Sequence, residues 1–190
     1  MRIALLTLAL SILTTSRVVH AGELDLNFGL QATHTQWDDD RGGGPTFGVS
    51  WLFKPWIGIN LIGKEQYATI DDRFLSYFSL NAIVRHSFSD RVRIAGTVGV
   101  VHQHEEARAA VEDMPLASTF GVADGIRHRM ASRAGAQLAF PVGTITKGDV
   151  YVALDLDTTY FAEQERGPRW MMSAGLSFGV TRDFDRRASK

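Results

Sequence analysis

Residues 24–34 read Leu24-Asp25-Leu26-Asn27-Phe28-Gly29-Leu30-Gln31-Ala32-Thr33-His34. Leu24, Leu26, Phe28, Leu30 and Ala32 hold the even positions, while Asp25, Asn27, Gly29, Gln31 and Thr33 hold the odd ones. A period of two sends the two sets to opposite faces of an extended strand. The same alternation returns at the far end, where Trp170, Met172, Ala174, Leu176, Phe178 and Val180 interleave with Met171, Ser173, Gly175, Ser177, Gly179 and Thr181. Both ends of the region are thus predicted strands.

Between them the pattern recurs. Phe47, Val49, Trp51 and Phe53 oppose Gly48, Ser50 and Lys54; Ile57, Ile59 and Leu61 oppose Asn60, Lys64 and Gln66. Phe78, Leu80, Ala82 and Val84 oppose Tyr77, Ser79, Asn81 and Arg85, and Val92, Ile94, Val98 and Val100 oppose Arg93, Thr97 and Gln103. Val150, Val152, Leu154 and Leu156 oppose Tyr151, Asp155 and Asp157. From Thr119 to Phe140 the parity never slips, with Ile126, Met130, Ala134, Leu138 and Phe140 against Arg127, Arg129, Arg133 and Gln137, which predicts one long strand. A turn at Met130 to Arg133 would instead give nine strands and put the termini on opposite sides, against the even strand number of bacterial single-chain barrels. Eight strands are therefore expected, with the hairpin of strands five and six long and protruding.

The connections alternate in character. Asp38 to Gly44, Asp71 to Arg73, the tip around Glu112 to Pro115, and Glu163 to Pro168 make one set; Lys54 to Trp56, Ser87 to Arg91 and Pro141 to Asp149 make the other. In membrane barrels the first set faces the exterior and the second, of short turns, the periplasm, so that Pro141 to Asp149 stands out as a long turn.

The 190-residue chain allows one domain. A formal net charge of -1 supplies no basic field for nucleic acid, and the absence of cysteine excludes disulfides, thiolate metal sites and cysteine nucleophiles. Residues 1–21 read as a signal peptide, with Arg2, an apolar run from Ile3 to Leu13, and Val19-His20-Ala21 as the cleavage site. That run is short of the roughly 20 residues a spanning helix needs. Residues 22–190 then form the barrel, which can cross a membrane only as strands.

A secreted soluble sandwich or barrel would also alternate. Two features favour lipid. Charges stand in mid-strand on the polar face, as Asp25, Lys64, Arg85, Arg93, Arg133, Asp155 and Asp157, where a narrow lumen can pair them. Aromatic residues such as Trp37, Trp51, Phe53, Trp56, Tyr67, Phe140, Tyr160, Trp170 and Phe184 gather near strand ends, as membrane-interface girdles do. On strand number, loop asymmetry, Gly-rich strands and the closing segment Gly175 to Phe184, the chain resembles small outer-membrane barrels of the OmpA, OmpX and OmpW type. The closing segment resembles the aromatic-ended signal read by the barrel-assembly machinery, although Asp185 to Lys190 follow it.

The resemblance implies a cell outer-membrane location, contact with membrane lipid and lipopolysaccharide, a monomer, and a lumen filled by side chains. The expected role is non-enzymatic and structural, or one of surface interaction through the loops. Two alternatives stand beside it. One is a narrow, porin-like channel for ions or small solutes. The other is an outer-leaflet lipid A acyl hydrolase: a tip near Pro115 would set His102 beside His128 and Val98 beside Ser132, with His104 and Glu106 on the same face. The candidate catalytic residues are thus His102, His128, Ser132 and Glu106, although the His-x-Ser-Asn pattern of the deacylase is absent. Alternate histidines in His102-Gln103-His104-Glu105-Glu106 have a spacing that can hold zinc or copper, and Asp38 to Asp40 could attract calcium, but Gly42 to Gly44 suggest a solvated loop. No metal or cofactor is assigned.

Overall fold

The computed structural model describes residues 22–37, 39–122, 126–162 and 167–184. The expected leader, Asp38, residues 163–166 and the tail after Phe184 lie outside them. Eight strands follow one another: β1 (Glu23–Thr35), β2 (Arg41–Lys54), β3 (Ile57–Ala68), β4 (Arg73–Ser89), β5 (Val92–Ala107), β6 (Arg127–Ile145), β7 (Gly148–Phe161) and β8 (Trp170–Asp183). Each pairs antiparallel with its neighbour in sequence, and β1 closes on β8 from Glu23↔Asp183 to Thr35↔Met171, so no sheet edge is left open.

The predicted parity holds in every strand, and it runs opposite to that of a soluble protein. Lys64 is 2% exposed while Phe28 is 61% exposed. Asp25, Gln31, Asn60, Asn81, Arg85, Arg93, Arg133 and Asp157 are buried inside, and Leu26, Leu30, Leu80, Val98, Leu154 and Leu176 are exposed outside. Aromatic side chains ring both ends: Trp37, Tyr67 and Trp170 at the long-connection end, Phe53, Trp56, Phe88, Phe140 and Phe184 at the other. Tyr160 and Trp170 pack at a tilt with centroids 4.6 Å apart, and Trp51 and Phe184 stack at 5.9 Å.

Three local expectations are corrected. First, residues 119–122 and 126 do not extend β6; the connection between β5 and β6 carries two short helices, α1 (Arg108–Asp113) and α2 (Pro115–Thr119). Arg108 Nε donates to Glu112 Oε1 at 2.7 Å, an i,i+4 pair that supports α1, and Pro115 fits the first position of α2. The strand 5–6 hairpin therefore does not project as a ribbon: its pairing ends at Glu105↔Arg127, whereas β4 and β5 stay paired to Arg73↔Ala107. Second, residues 141–149 are not a long turn. A bulge between Pro141 and Gly143 absorbs the missing proline N–H, β6 runs on to Ile145, and Thr146-Lys147 turn the chain with Lys147 at φ 64. Third, Gly42 to Gly44 belong to β2, paired with Thr33, Ala32 and Gln31, and are not a loop. A Cβ on Gly44 would stand 1.9 Å from the carbonyl oxygen of Glu65, so the close strand approach there needs glycine.

Candidate functional site

Two groups of polar side chains stand out, one inside the barrel and one outside. The inner group forms linked ion pairs. At mid-height Lys64 Nζ donates to both oxygens of Asp157, at 2.9 and 2.7 Å, and Arg133 Nε lies 3.5 Å from Asp157 Oδ1. Beside them Asp155 accepts from Gln137 at 2.9 Å and from Ser177 at 2.5 Å. Towards the short turns, Tyr151 donates to Asp25 at 2.6 Å, Arg85 pairs with Glu23, and Arg93 stacks over the Tyr151 ring at 4.8 Å.

Towards the long connections, Arg73 bridges Asp40 at 2.8 Å and Glu105 at 2.5 Å, while Arg127 also pairs with Glu105. Arg129, over the Phe161 ring at 3.8 Å, donates to the Pro168 carbonyl at 2.8 Å. Asp40 also accepts from Thr35 Oγ1, at 3.1 Å. Its place here removes it from any calcium role suggested by the run Asp38 to Asp40. The cavity in the middle of the lumen, lined among others by Asp25, Gln31, Asn60 and Arg133, has a volume of about 50 Å³. A buried water occupies about 10–15 Å³ of such space, so the cavity has room for a few waters and for no sizeable solute.

The outer group is the histidine cluster. Even positions of β5 and β6 face outward, so His102, His104 and Glu106 share one face with His128, Met130 and Ser132. The register places Met130 directly opposite His102, His128 opposite His104, and Val100 opposite Ser132. This is two residues away from the pairing expected from a tip near Pro115. Because a slip of two preserves the face, the histidines still converge. Their ring centroids are 4.7 Å apart for His102 and His104, 5.3 Å for His102 and His128, and 4.9 Å for His104 and His128.

His128 Nδ1 is 3.2 Å from His102 Nε2, and His102 Nδ1 is 3.1 Å from Met130 Sδ. His104 is buried because the chain after α2 folds down over it: its Nδ1 lies 3.1 Å from the Thr119 carbonyl oxygen, and Gly121, at φ +71, packs so close that a Cβ there would lie 2.4 Å from the ring.

Ser132 stands between Val100 and Tyr160 and makes no side-chain hydrogen bond among the described residues. Four residues separate it from His128 along the strand, a span of about 13 Å. Glu106 is buried opposite Phe74, with neither carboxylate oxygen hydrogen-bonded. Close by on the same outer face, Ser76, opposite His104, donates to Glu65 at 2.7 Å, a pair that reading the sequence missed. Below the cluster runs an apolar groove lined by Phe47, Leu61, Phe78, Leu80, Val100 and Met130. His34 and His86 lie outside the cluster, on β1 and β4.

No protein-family model matches the chain, and no curated protein matches it. Among solved structures it is similar to Neisserial surface protein A (NspA), with a TM-score of 0.60, 11% identity, and coverage of 86% of this chain and 97% of that one. It is similar to Ail, the attachment invasion locus protein of Yersinia pestis, with a TM-score of 0.51, 14% identity, and coverage of 84% and 98%. The N-terminal β-barrel domain of Pseudomonas aeruginosa OprF matches with a TM-score of 0.50, 16% identity, and coverage of 82% and 96%. The shared feature is the fold, a closed eight-stranded barrel of the small outer-membrane type.

Proposed function

We propose that the chain crosses the outer membrane of a Gram-negative-type bacterium as a closed, non-enzymatic monomeric barrel. It presents the connections 36–40, 69–72, 108–126 and 162–169 to the exterior for structural or surface contacts. The observation that carries this reading is the reversed distribution of side chains, charged within and apolar without. In water such a surface would aggregate; in a bilayer it needs no partner. On β8 the outward apolar set runs from Trp170 to Val180, eleven residues, matching the roughly 9–11 that a tilted membrane strand requires. The first and last described residues meet at the short-turn end, where Phe184 N bonds the Gly22 carbonyl at 3.3 Å, as expected of the periplasmic side.

On this reading residues 1–21 are a leader removed on export, the closing segment of β8 is presented to the barrel-assembly machinery, and lipid and lipopolysaccharide surround the mature protein. Surface contact also fits the names of two structural neighbours, a surface protein and an attachment invasion protein.

In a planar bilayer the purified protein is expected to give no stepwise conductance, because ion-paired side chains such as Lys64 with Asp157 and Arg85 with Glu23 fill the lumen. Discrete openings would replace this reading with the narrow channel. Lipid A from cells with and without the protein is expected to give identical mass spectra. Loss of an acyl chain that depends on His102 would replace the reading with the hydrolase.

A further inference from the structure

We infer that His102, His104 and His128 form a transition-metal site on the outer face of the barrel, fitted to Zn²⁺ or Cu²⁺, which ties β5, β6 and the segment after α2 together. One ring nitrogen from each of the three lies within 4.8 Å of the others. Tetrahedral coordination with metal–nitrogen bonds of about 2.0–2.1 Å requires ligand nitrogens about 3.3 Å apart. The pair His102 Nε2 and His128 Nδ1 already stands at 3.2 Å. With its nitrogen within 4.8 Å of the others, His104 needs to approach by at most about 1.5 Å.

Protonation points the same way. A carbonyl oxygen only accepts, so the 3.1 Å contact to Thr119 makes His104 carry its proton on Nδ1 and leaves a lone pair on Nε2. A thioether is likewise an acceptor, so the contact of His102 Nδ1 with Met130 Sδ leaves its lone pair on Nε2. Metal-ligating histidines are typically held this way, with the far nitrogen donating to a fixed acceptor. Two positions along the same face, Glu106 is 7% exposed with both carboxylate oxygens unpaired, a buried negative group that a nearby cation would offset.

Three imidazoles suit zinc, copper or nickel, and offer little to calcium or magnesium, which take oxygen ligands. A fourth coordination position remains for solvent or for an oxygen of a lipid headgroup. The bland alternative for the 3.2 Å contact is an N–H···N hydrogen bond between His102 and His128, with no metal.

The test is calorimetric titration of Zn²⁺, with Cu²⁺ and Ca²⁺ in parallel, into tag-free protein purified in detergent micelles. One equivalent of Zn²⁺ is expected to bind saturably and Ca²⁺ not at all. His102→Asn and His128→Asn should each weaken Zn²⁺ by more than about tenfold, since even losing the hydrogen bond behind a ligand costs about 10–100-fold. Both side chains face outward, and a difference in gel mobility between unboiled and boiled samples, the same as for the parent, shows that each variant still folds. No saturable Zn²⁺ binding by the parent, or equal binding by folded variants, overturns the site and leaves a histidine hydrogen bond.

Discussion

Lys64 is a cation held inside the barrel by a single carboxylate. It is buried, donates to both oxygens of Asp157, and shares that carboxylate with Arg133. Breaking a buried pair leaves an uncompensated charge, at a cost of about 3–5 kcal/mol. Lys64→Met leaves Asp157 with the longer Arg133 contact alone and is expected to lower the free energy of unfolding by up to that amount, measured by urea titration of the protein in lipid vesicles. Tyr151 depends on a neighbour with no side chain. It crosses β8 at Gly179 to reach Asp25 on β1, and a Cβ on Gly179 would stand 2.2 Å from its ring. Gly179→Val should push the ring aside, leave Asp25 without its 2.6 Å donor, and destabilise the barrel by about 1–3 kcal/mol in the same titration. At the histidines, metal and proton compete for the same nitrogen lone pairs. Zn²⁺ affinity should therefore fall steeply when the calorimetric titration is repeated at pH 5.5 instead of 7.5.

Among the elements, the connection between β5 and β6 is separable from the barrel. Helices α1 and α2 leave Met114, Leu116 and Phe120 exposed, and Val122 just beyond α2 is exposed too, while the barrel closes through strand pairing that does not involve them. Replacing residues 108–126 with a short Asn-Gly turn should leave the heat-dependent gel shift intact. It should also weaken Zn²⁺ binding, because Thr119 and Gly121 hold the His104 ring. A loss of the gel shift would show instead that this connection is needed for closure. In the unaltered protein, protease added to intact cells is expected to cut within 108–122, a short and exposed helical segment. The absence of any cut there would contradict the outward placement of this end.

For the whole molecule, closure decides behaviour. Each strand pairs on both sides, so unfolding has to break a continuous ladder of backbone hydrogen bonds in surroundings without water to replace them. Unboiled protein in detergent should migrate differently from boiled protein on a gel. Equal mobility, with solubility in plain buffer, would favour a soluble barrel and void the inside and outside assignments.

Much of this fold was legible in the chain because a strand's faces are a local property. The alternation in Leu24 to Thr33, or in Trp170 to Thr181, fixes which side chains share a face whatever the neighbouring strands do. From it came the strand positions; the even strand number of membrane barrels chose eight, and the mid-strand charges and aromatic ends chose which face is the interior. The register between strands was not local. Sequence placed His128 beside His102, but α1 and α2 moved the tip of the connection, and pairing settled two residues away, with Met130 opposite His102. The long turn expected at 141–149 likewise vanished once a bulge at Pro141 let β6 continue. Partners such as Asp40 with Arg73, or Tyr151 with Asp25, lie 33 and 126 positions apart, and no spacing rule joins them. Period two determined the faces; closure of the barrel decided who meets whom across them, because contacts in a closed sheet follow from register and curvature that only the assembled strands possess.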